Sequence, residues 1–393
     1  MLAHISGMID RGHDVRIFTN HLITPDVQHK SVVQYRLLEK TTVVPWVSNK
    51  TLKRLKPAAK GLVEAAKRGR TGAALRALNF VRFGRKALGL STLIRATGNF
   101  EPVSFDVIHC QFGQLGVVAE ELRQCRAITG SLVTSFRGAD AMNYASEDPA
   151  RFSTLFANGS RFLAVSDAIR NRLIQIGCPE DRISVLRSGI DLRRFERRQD
   201  RTPGDSVNLI SVGRLAPNKG IEVALSAIRI LRDAGIDLHY RVVGTGPQLA
   251  ELQQQTAALG IESAVTFEGA LDSDGVIDAL NQSDILLAPT TSGLHGDQEG
   301  LPNCLKEAMA VGVVAIGTNM GSIPELVADG VSGYLVEQRD AEALAAAVQS
   351  AMADWNSSAR MIGEARRRVE SEYDIEKLND DLEKLYKGSV EQL

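Results

Sequence analysis

Short apolar runs alternate with amphipathic stretches along almost the whole chain. The runs VRIF (15–18), DVIHC (106–110), RFLAV (161–165), NLISV (208–212), YRVVG (240–244), DILLAP (284–289) and VVAIGT (313–318) are rich in β-branched and other apolar residues. Runs of this length and composition predict strands. The helical stretches between them predict parallel, doubly wound sheets with helices on both faces. At 393 residues the chain is long enough for two such α/β domains, each with its own core, and no repeat of fixed period appears. The charged, Pro- and Gly-containing stretch Arg193 to Asp205 reads as the linker. The expected division is 1–195 and 206–375, with 376–393 a helix packing back on the first domain.

A formal net charge of −1 hides a local imbalance, because 49–97 carries thirteen Lys and Arg against the single acid Glu64. Leu52, Leu55, Leu62, Val63, Leu75, Leu78, Phe80, Val81, Phe83 and Leu88 are interleaved at roughly helical spacing. This basic helical insertion is read as a surface for anionic membrane lipids, with a solvated helical hairpin as the alternative. It offers no aromatic platform for stacking bases, so nucleic acid is not an expected partner. Cys110, Cys125, Cys178 and Cys304 are scattered, with neither a C-x-x-C pair nor a neighbouring His, which points to no disulfide framework and no zinc site. There is no signal-peptide pattern and no apolar run of membrane-spanning length. The expected location is cytoplasmic, peripheral at the inner face of the membrane.

The candidate chemistry lies in two motifs. In EGLPNCLKE, Glu299 and Glu307 stand eight residues apart around Gly300, Leu301, Pro302 and Asn303. Pro302 suits the first helical position, placing Glu299 in the preceding loop and Glu307 inside the helix. The helix opening offers N–H groups and partial positive charge to a phosphate, and carboxylates can accept bonds from sugar hydroxyls. The bare pair also suits a solvated helix face. Upstream, SVGRLAPNKG follows an apolar run, so that Gly213 relaxes the turn and Arg214 and Lys219 place two cations at the carboxyl edge of a sheet, where ligands of α/β proteins bind.

Taken in order, FDVIHCQFG (105–113), SFRGAD (135–140), LAVSDAIRNRL (163–173), RSGID (187–191), GRLAPNKG, VVGTGP (242–247), EGLPNCLKEAMAVG (299–312) and GSIPELVADGVSGYLV (321–336) resemble the family 4 glycosyltransferases of GT-B fold, nearest to those of colanic acid and exopolysaccharide assembly. The resemblance implies two Rossmann-like domains facing a cleft. It also implies transfer of a hexose from a UDP- or GDP-sugar to a glycan or lipid-linked acceptor, with retention at the anomeric carbon. By resemblance Glu299 lies by the donor sugar and Glu307 on the ribose, while Arg214 and Lys219 meet the diphosphate as charge grows on it. Gly244 and Gly246 would wall the base or ribose, and the FEGAL loop (267–271), with Glu268, would read the base through its backbone. These cations supply the charge a metal would, so neither a catalytic metal nor another cofactor is expected. Asp272-Ser-Asp274 reads as a helix cap instead of a metal site, and His295, Asp297 and Glu299 are not taken as ligands.

The chain departs from the family in two ways. It begins inside the first helix, so a central strand and its glycine loop are missing, and an open slot between buried strands is expected. That points to a start assigned too late or a shortened form. On the acceptor side, Gln111 stands where relatives often have His, and Arg137 where many have the His of an FHG turn. His109, Gln111, Arg137 and Asp140, with Ser166, are the acceptor-side cleft residues, although His109 equally suits a satisfied core position. Two other functions fit the same residues. One is a catalytically inactive nucleotide-sugar-binding subunit of an assembly complex, the other a GT-B epimerase or hydrolase.

Overall fold

The computed structural model describes residues 2–21, 30–44, 47, 51–100, 103–138, 140, 148–197, 206–292, 301–353 and 355–391. The N-terminal half holds β1 (Ile17–Thr19), β2 (Thr41–Val43), β3 (Ser104–Cys110), β4 (Thr129–Phe136), β5 (Arg161–Ala164) and β6 (Ile183–Val185). The C-terminal half holds β7 (Val207–Val212), β8 (Leu238–Val243), β9 (Val265–Gly269), β10 (Ile285–Ala288), β11 (Val314–Thr318) and β12 (Tyr334–Val336). All pairings between these strands are parallel. Each of the apolar runs VRIF to VVAIGT contributes to a strand.

The second sheet runs β12-β11-β10-β7-β8-β9, so the chain enters at its middle and the direction of winding reverses between β7 and β10. At such a reversal the loops leaving neighbouring strands diverge and open a crevice at the strands' carboxyl ends. Leu209, Ile210 and Leu286, on the two central strands, are fully buried, as expected where helices cover both faces. The strands are also joined through side chains: Tyr240 donates to Ser211 at 2.7 Å, and Ser211 donates to the Leu287 carbonyl at 2.6 Å.

In the first half the strand order is β3-β4-β5-β6, and β1 with β2 forms a separate two-stranded sheet. Phe136, Phe152, Phe156 and Phe162 build its aromatic core, two of their ring pairs lying edge to face at 5.3 Å. The chain passes between halves near Ile190, whose N–H donates to Tyr373 O at 2.9 Å and whose carbonyl accepts from Ile375 N at 3.0 Å. Helix Ile375–Val390 then packs on helix Leu2–Asp10, β3 and β4. Asn379 bonds His4 there at 2.8 Å.

A second tie between the halves is ionic. The Glu325 carboxylate accepts from the backbone N–H groups of Asp167 and Ala168, each at 2.9 Å, which open helix Asp167–Gln175 of the other half. Ser166 caps the same helix through Ile169 N, so the Glu325 oxygens take donors that the helix itself leaves unpaired. Arg187, next to the crossing, bonds Asp167 and Glu325 at 2.7 Å and Glu372 at 3.1 Å.

Residues 55–96 fold into short helices that bury small residues (Ala58, Ala65, Ala73, Ala74, Ala77 and Ala87) while Leu55, Leu75, Phe80 and Leu88 stay more than half exposed and Val81 is 95% exposed. Phe83, Leu93 and Ile94 join the alanines in that core, but several bulky apolar side chains remain outside beside Lys56, Lys60 and Arg85. No described helix is long and apolar enough to cross a membrane.

Glu325→Ala should lower stability in urea unfolding by about 1–2 kcal/mol through loss of the cap and the Arg187 pair. Removal of the exposed Glu364 carboxylate, paired only across one helix turn with Arg367, should change it by less than about 0.5 kcal/mol. Equal midpoints for both variants would contradict the tie.

Candidate functional site

The loops leaving β7 and β10 meet the opening of helix Asn303–Val311 at the sheet's reversal. One cavity there is lined by Gly213, Arg214, Lys219, Thr290, Pro302 and Cys304, bringing together segments some ninety residues apart in sequence. Arg214 is exposed and Lys219 half-buried. The Lys219 side chain lies over Gly213, its Cε and Nζ at 3.6 and 3.9 Å from where a β-carbon at 213 would stand. The two cations therefore flank a single backbone turn.

That turn is fixed by the next one. Gly213 N donates to Val243 O and Leu215 N to Thr245 O, both at 2.9 Å. The backbones are in such close contact that a β-carbon at Gly244 would stand 1.8 Å from Gly213 O, and one at Gly246 would stand 2.2 Å from Leu215 O. The glycines of VVGTGP are thus explained by packing against the cation-bearing loop. The wall expected for base or ribose is in the first place the support behind Arg214.

Pro302 is extended, with φ −62° and ψ 132°, and helix 303–311 begins one residue later than the sequence implied. Because proline cannot cap with its side chain, no side chain of its own covers the amides of this helix opening. Asn303 is exposed and Leu301 half-buried at the rim. Glu307 lies one turn into the helix, half-buried, and desolvation raises its carboxyl above the usual range while Lys306 and Arg194 pull it down. Glu299 and Gly300 lie outside the described residues, as do His295 and Asp297.

On the other half, the four expected cleft residues divide. Gln111 accepts from Arg137 Nη2 at 3.1 Å, and the buried Arg137 Nε has no partner among the described residues. Desolvation first, with a smaller effect of the Arg137 charge, lowers His109, His4 and Lys306 below their ordinary values. Gln111 and Arg137 are both half-buried. His109 is bonded at both ring nitrogens: its Nδ1 is 2.5 Å from Tyr386 Oη and its Nε2 2.7 Å from Ser135 Oγ. Burial first, then the charges of His4 and Arg137, lower it to about 3, so it is neutral near pH 7. It is the satisfied core residue of the two readings. Asp140 is likewise internal, accepting from Gly113 N at 2.6 Å and Arg137 N at 2.7 Å, and so holds the Arg137 turn from behind.

The Glu268 side chain pairs with Arg241 on the neighbouring strand at 2.5 Å, a contact separate from the backbone through which this loop is expected to read the base. Asp272 caps helix Ser273–Asn281 through Gly275 N at 2.8 Å, and Asp274 pairs with Arg194, as its reading as a cap implied. Among the described residues no group of three His, Cys, Asp or Glu could hold a metal ion. Sequence reasoning gave no role to Lys306, Arg187 or Glu325. The first is fully buried, and the others join the halves. The one available signal was that Arg187 and Glu325 fall in quoted motifs beside small or rigid residues.

The family described as Glycosyltransferase Family 4 matches residues 1–194, and that described as Glycosyl transferases group 1 matches 193–368. The chain is similar to the glycosyltransferase WcaL of Salmonella typhimurium, named for colanic acid biosynthesis, with 33% identity over 390 residues, 98% of this chain and 95% of that protein. It is 30% identical over 380 residues to the amylovoran biosynthesis glycosyltransferase AmsK of Erwinia amylovora, covering 95% and 92% of the two. In fold it resembles HepE of Anabaena, solved in complex with UDP-glucose, at a TM-score of 0.64 and 19% identity over 93% of this chain and 89% of that one.

Gly244→Ala should lower stability by about 3 kcal/mol by forcing the two turns apart. Gly235→Ala, at a positive φ with nothing within 4 Å, should cost only about 1 kcal/mol. Chemical denaturation measures both, and equal losses would contradict the packing described.

Proposed function

Because the chain belongs to the family 4 glycosyltransferases and has the two-domain GT-B fold, we propose that it moves a hexosyl group from a UDP- or GDP-sugar to a glycan or lipid-linked acceptor in exopolysaccharide assembly, with retention. The observation that carries this reading is the convergence of Arg214, Lys219 and the side-chain-uncapped opening of helix 303–311 on one cavity at the sheet's reversal. A departing nucleoside diphosphate gains negative charge as its bond to the sugar breaks. Cations and amides already aimed at that point stabilise the charge without reorganising.

In this reading the diphosphate lies against Gly213, between Arg214 and Lys219, and Glu307 accepts bonds from the ribose hydroxyls. Glu299 serves the donor sugar. With retention, the acceptor oxygen bonds to the anomeric carbon on the face the phosphate leaves. The acceptor's proton then passes to the departing phosphate oxygen. His109, neutral and bonded at both nitrogens, is not needed as a base. Arg137, held by Gln111 and Asp140, closes the cleft from the acceptor side and orients the sugar. The fixed cations take the place of a metal, so EDTA should leave the rate unchanged.

The membrane is the proposed second partner, at the cytoplasmic face. The outward Leu, Val and Phe side chains of 55–88 beside Lys56, Lys60 and Arg85 match a bilayer with anionic headgroups, where apolar tips enter and cations meet phosphates.

Two measurements test these readings. Nucleotide release from UDP- and GDP-sugars should require acceptor. Lys219→Ala should lower kcat about a hundredfold with little change in KM, and Glu307→Ala should weaken donor binding about tenfold. Release without acceptor would indicate a hydrolase or epimerase, and binding without turnover an inactive subunit. In vesicle sedimentation, Val81→Asp and Lys56→Glu should each reduce binding to phosphatidylglycerol vesicles, and parent protein that ignores such vesicles would overturn the membrane reading.

A further inference from the structure

We propose that Lys306 is a positioning residue that ties the donor-side helix to the crossing between the two halves and so sets the orientation of the cleft. The proposal rests on the reading of helix 303–311 as part of the donor site.

Lys306 lies in the first turns of helix 303–311, yet its residue is 0% exposed. Its ammonium reaches away from the cavity to the carbonyl of Ser188, at 2.5 Å, and lies 5.8 Å from the centre of the Tyr373 ring. Both contacts are with the crossing. Ser188 is two residues before Ile190, and Tyr373 accepts from Ile190 N, so the two passages of chain between the halves meet under this one side chain. Arg187 packs on the same ring at 5.6 Å and carries the carboxylates of Asp167, Glu325 and Glu372. Lys306 itself has no ion pair among the described residues.

A buried cation without a carboxylate partner is costly, and an apolar side chain of similar volume is often neutral or stabilising in its place. Fold stability therefore gives no reason for a lysine here. Its one strong bond runs from the helix bearing Glu307 to the segment by which the chain crosses between the halves. A rotation of the halves that moves Ser188 breaks that bond and displaces Arg137, on the opposite wall, relative to the donor.

The groups facing Lys306 are Glu307 and Cys304 on its own helix, Arg137 from the N-terminal half and the Tyr373 ring. Desolvation dominates among their effects and lowers the ammonium to about 8 from 10.5, whereas Tyr373 is raised to about 12. From about pH 8 to about pH 10 the unfolded chain holds the Lys306 proton that the folded chain has lost, so this group makes stability rise with pH, while above about pH 10 the raised Tyr373 acts in the opposite direction.

The test uses the full chain as Lys306→Met, with spin labels on Glu342 and Arg161 sites changed to cysteine, one in each half. The variant is expected to melt no lower than the parent and to bind UDP or GDP within about threefold of it. Its kcat should fall at least about tenfold and its label-to-label distance distribution should broaden. A variant that melts lower and loses activity in proportion, or one with parental kcat and distances, overturns the proposal. Should Lys306→Met not fold, the labelled parent is compared between about pH 7 and about pH 9.5 in a Cys304→Ser background. Broadening as the ammonium loses its proton supports the strut, and an unchanged distribution overturns it. If the parent binds neither nucleotide, the donor-site reading fails, while the distances still report on Lys306.

Discussion

A single backbone contact supports the site: the turn after β7 lies directly on the turn after β8, with no side chain between them. Val243 and Thr245 accept from Gly213 and Leu215, and a β-carbon at Gly244 would overlap the Gly213 carbonyl. In the proposed site, rigid support of this kind is what would let two cations act on a phosphate. A guanidinium on a loose loop turns toward water, whereas one anchored within its own turn keeps its direction when a ligand arrives. The reversal of strand order supplies the crevice, and glycine allows its floor to be thin.

The halves of the molecule then have to face each other at a usable angle. Three contacts set it: the Ile190 pairing with Tyr373 and Ile375, the Glu325 cap on helix 167–175, and the buried Lys306 on Ser188. All three converge near Arg187. Helix 375–390 adds a brace by returning to β3 and β4, where Tyr386 occupies one nitrogen of His109. The C-terminal end of the chain is thus part of the N-terminal core.

Much of this was legible in the sequence, for definite reasons. Buried parallel strands need continuous apolar runs, so NLISV, DILLAP and VVAIGT could be read directly, and the cations after NLISV fell at a strand's carboxyl end where ligands bind. Asp272 was legible as a cap because capping is local. Side-chain partners distant in sequence were not, although the return of the last helix to the first domain was expected. His109 looks like a ligand until Tyr386, far along the chain, occupies it. The partner of the Glu268 side chain, Arg241 on the neighbouring strand, is of the same kind. Lys306 drew no role, because nothing nearby in sequence announces that the crossing covers it. The alanines of 55–96 face inward where the helices approach closely, with Phe83, Leu93 and Ile94 filling the wider parts of the same core. Gly61 shows this, as a β-carbon there would meet Thr97 at 2.2 Å.

The central claim is that Arg214, Lys219 and the opening of helix 303–311 form one diphosphate site. Calorimetry comparing UDP with UMP and GDP with GMP tests it most directly, because the nucleosides' contacts cancel within each base and the second phosphate remains. The account predicts that UDP or GDP binds at least about tenfold tighter than its own monophosphate, with the advantage shrinking as salt rises. Equal affinity for mono- and diphosphate at low salt would contradict it.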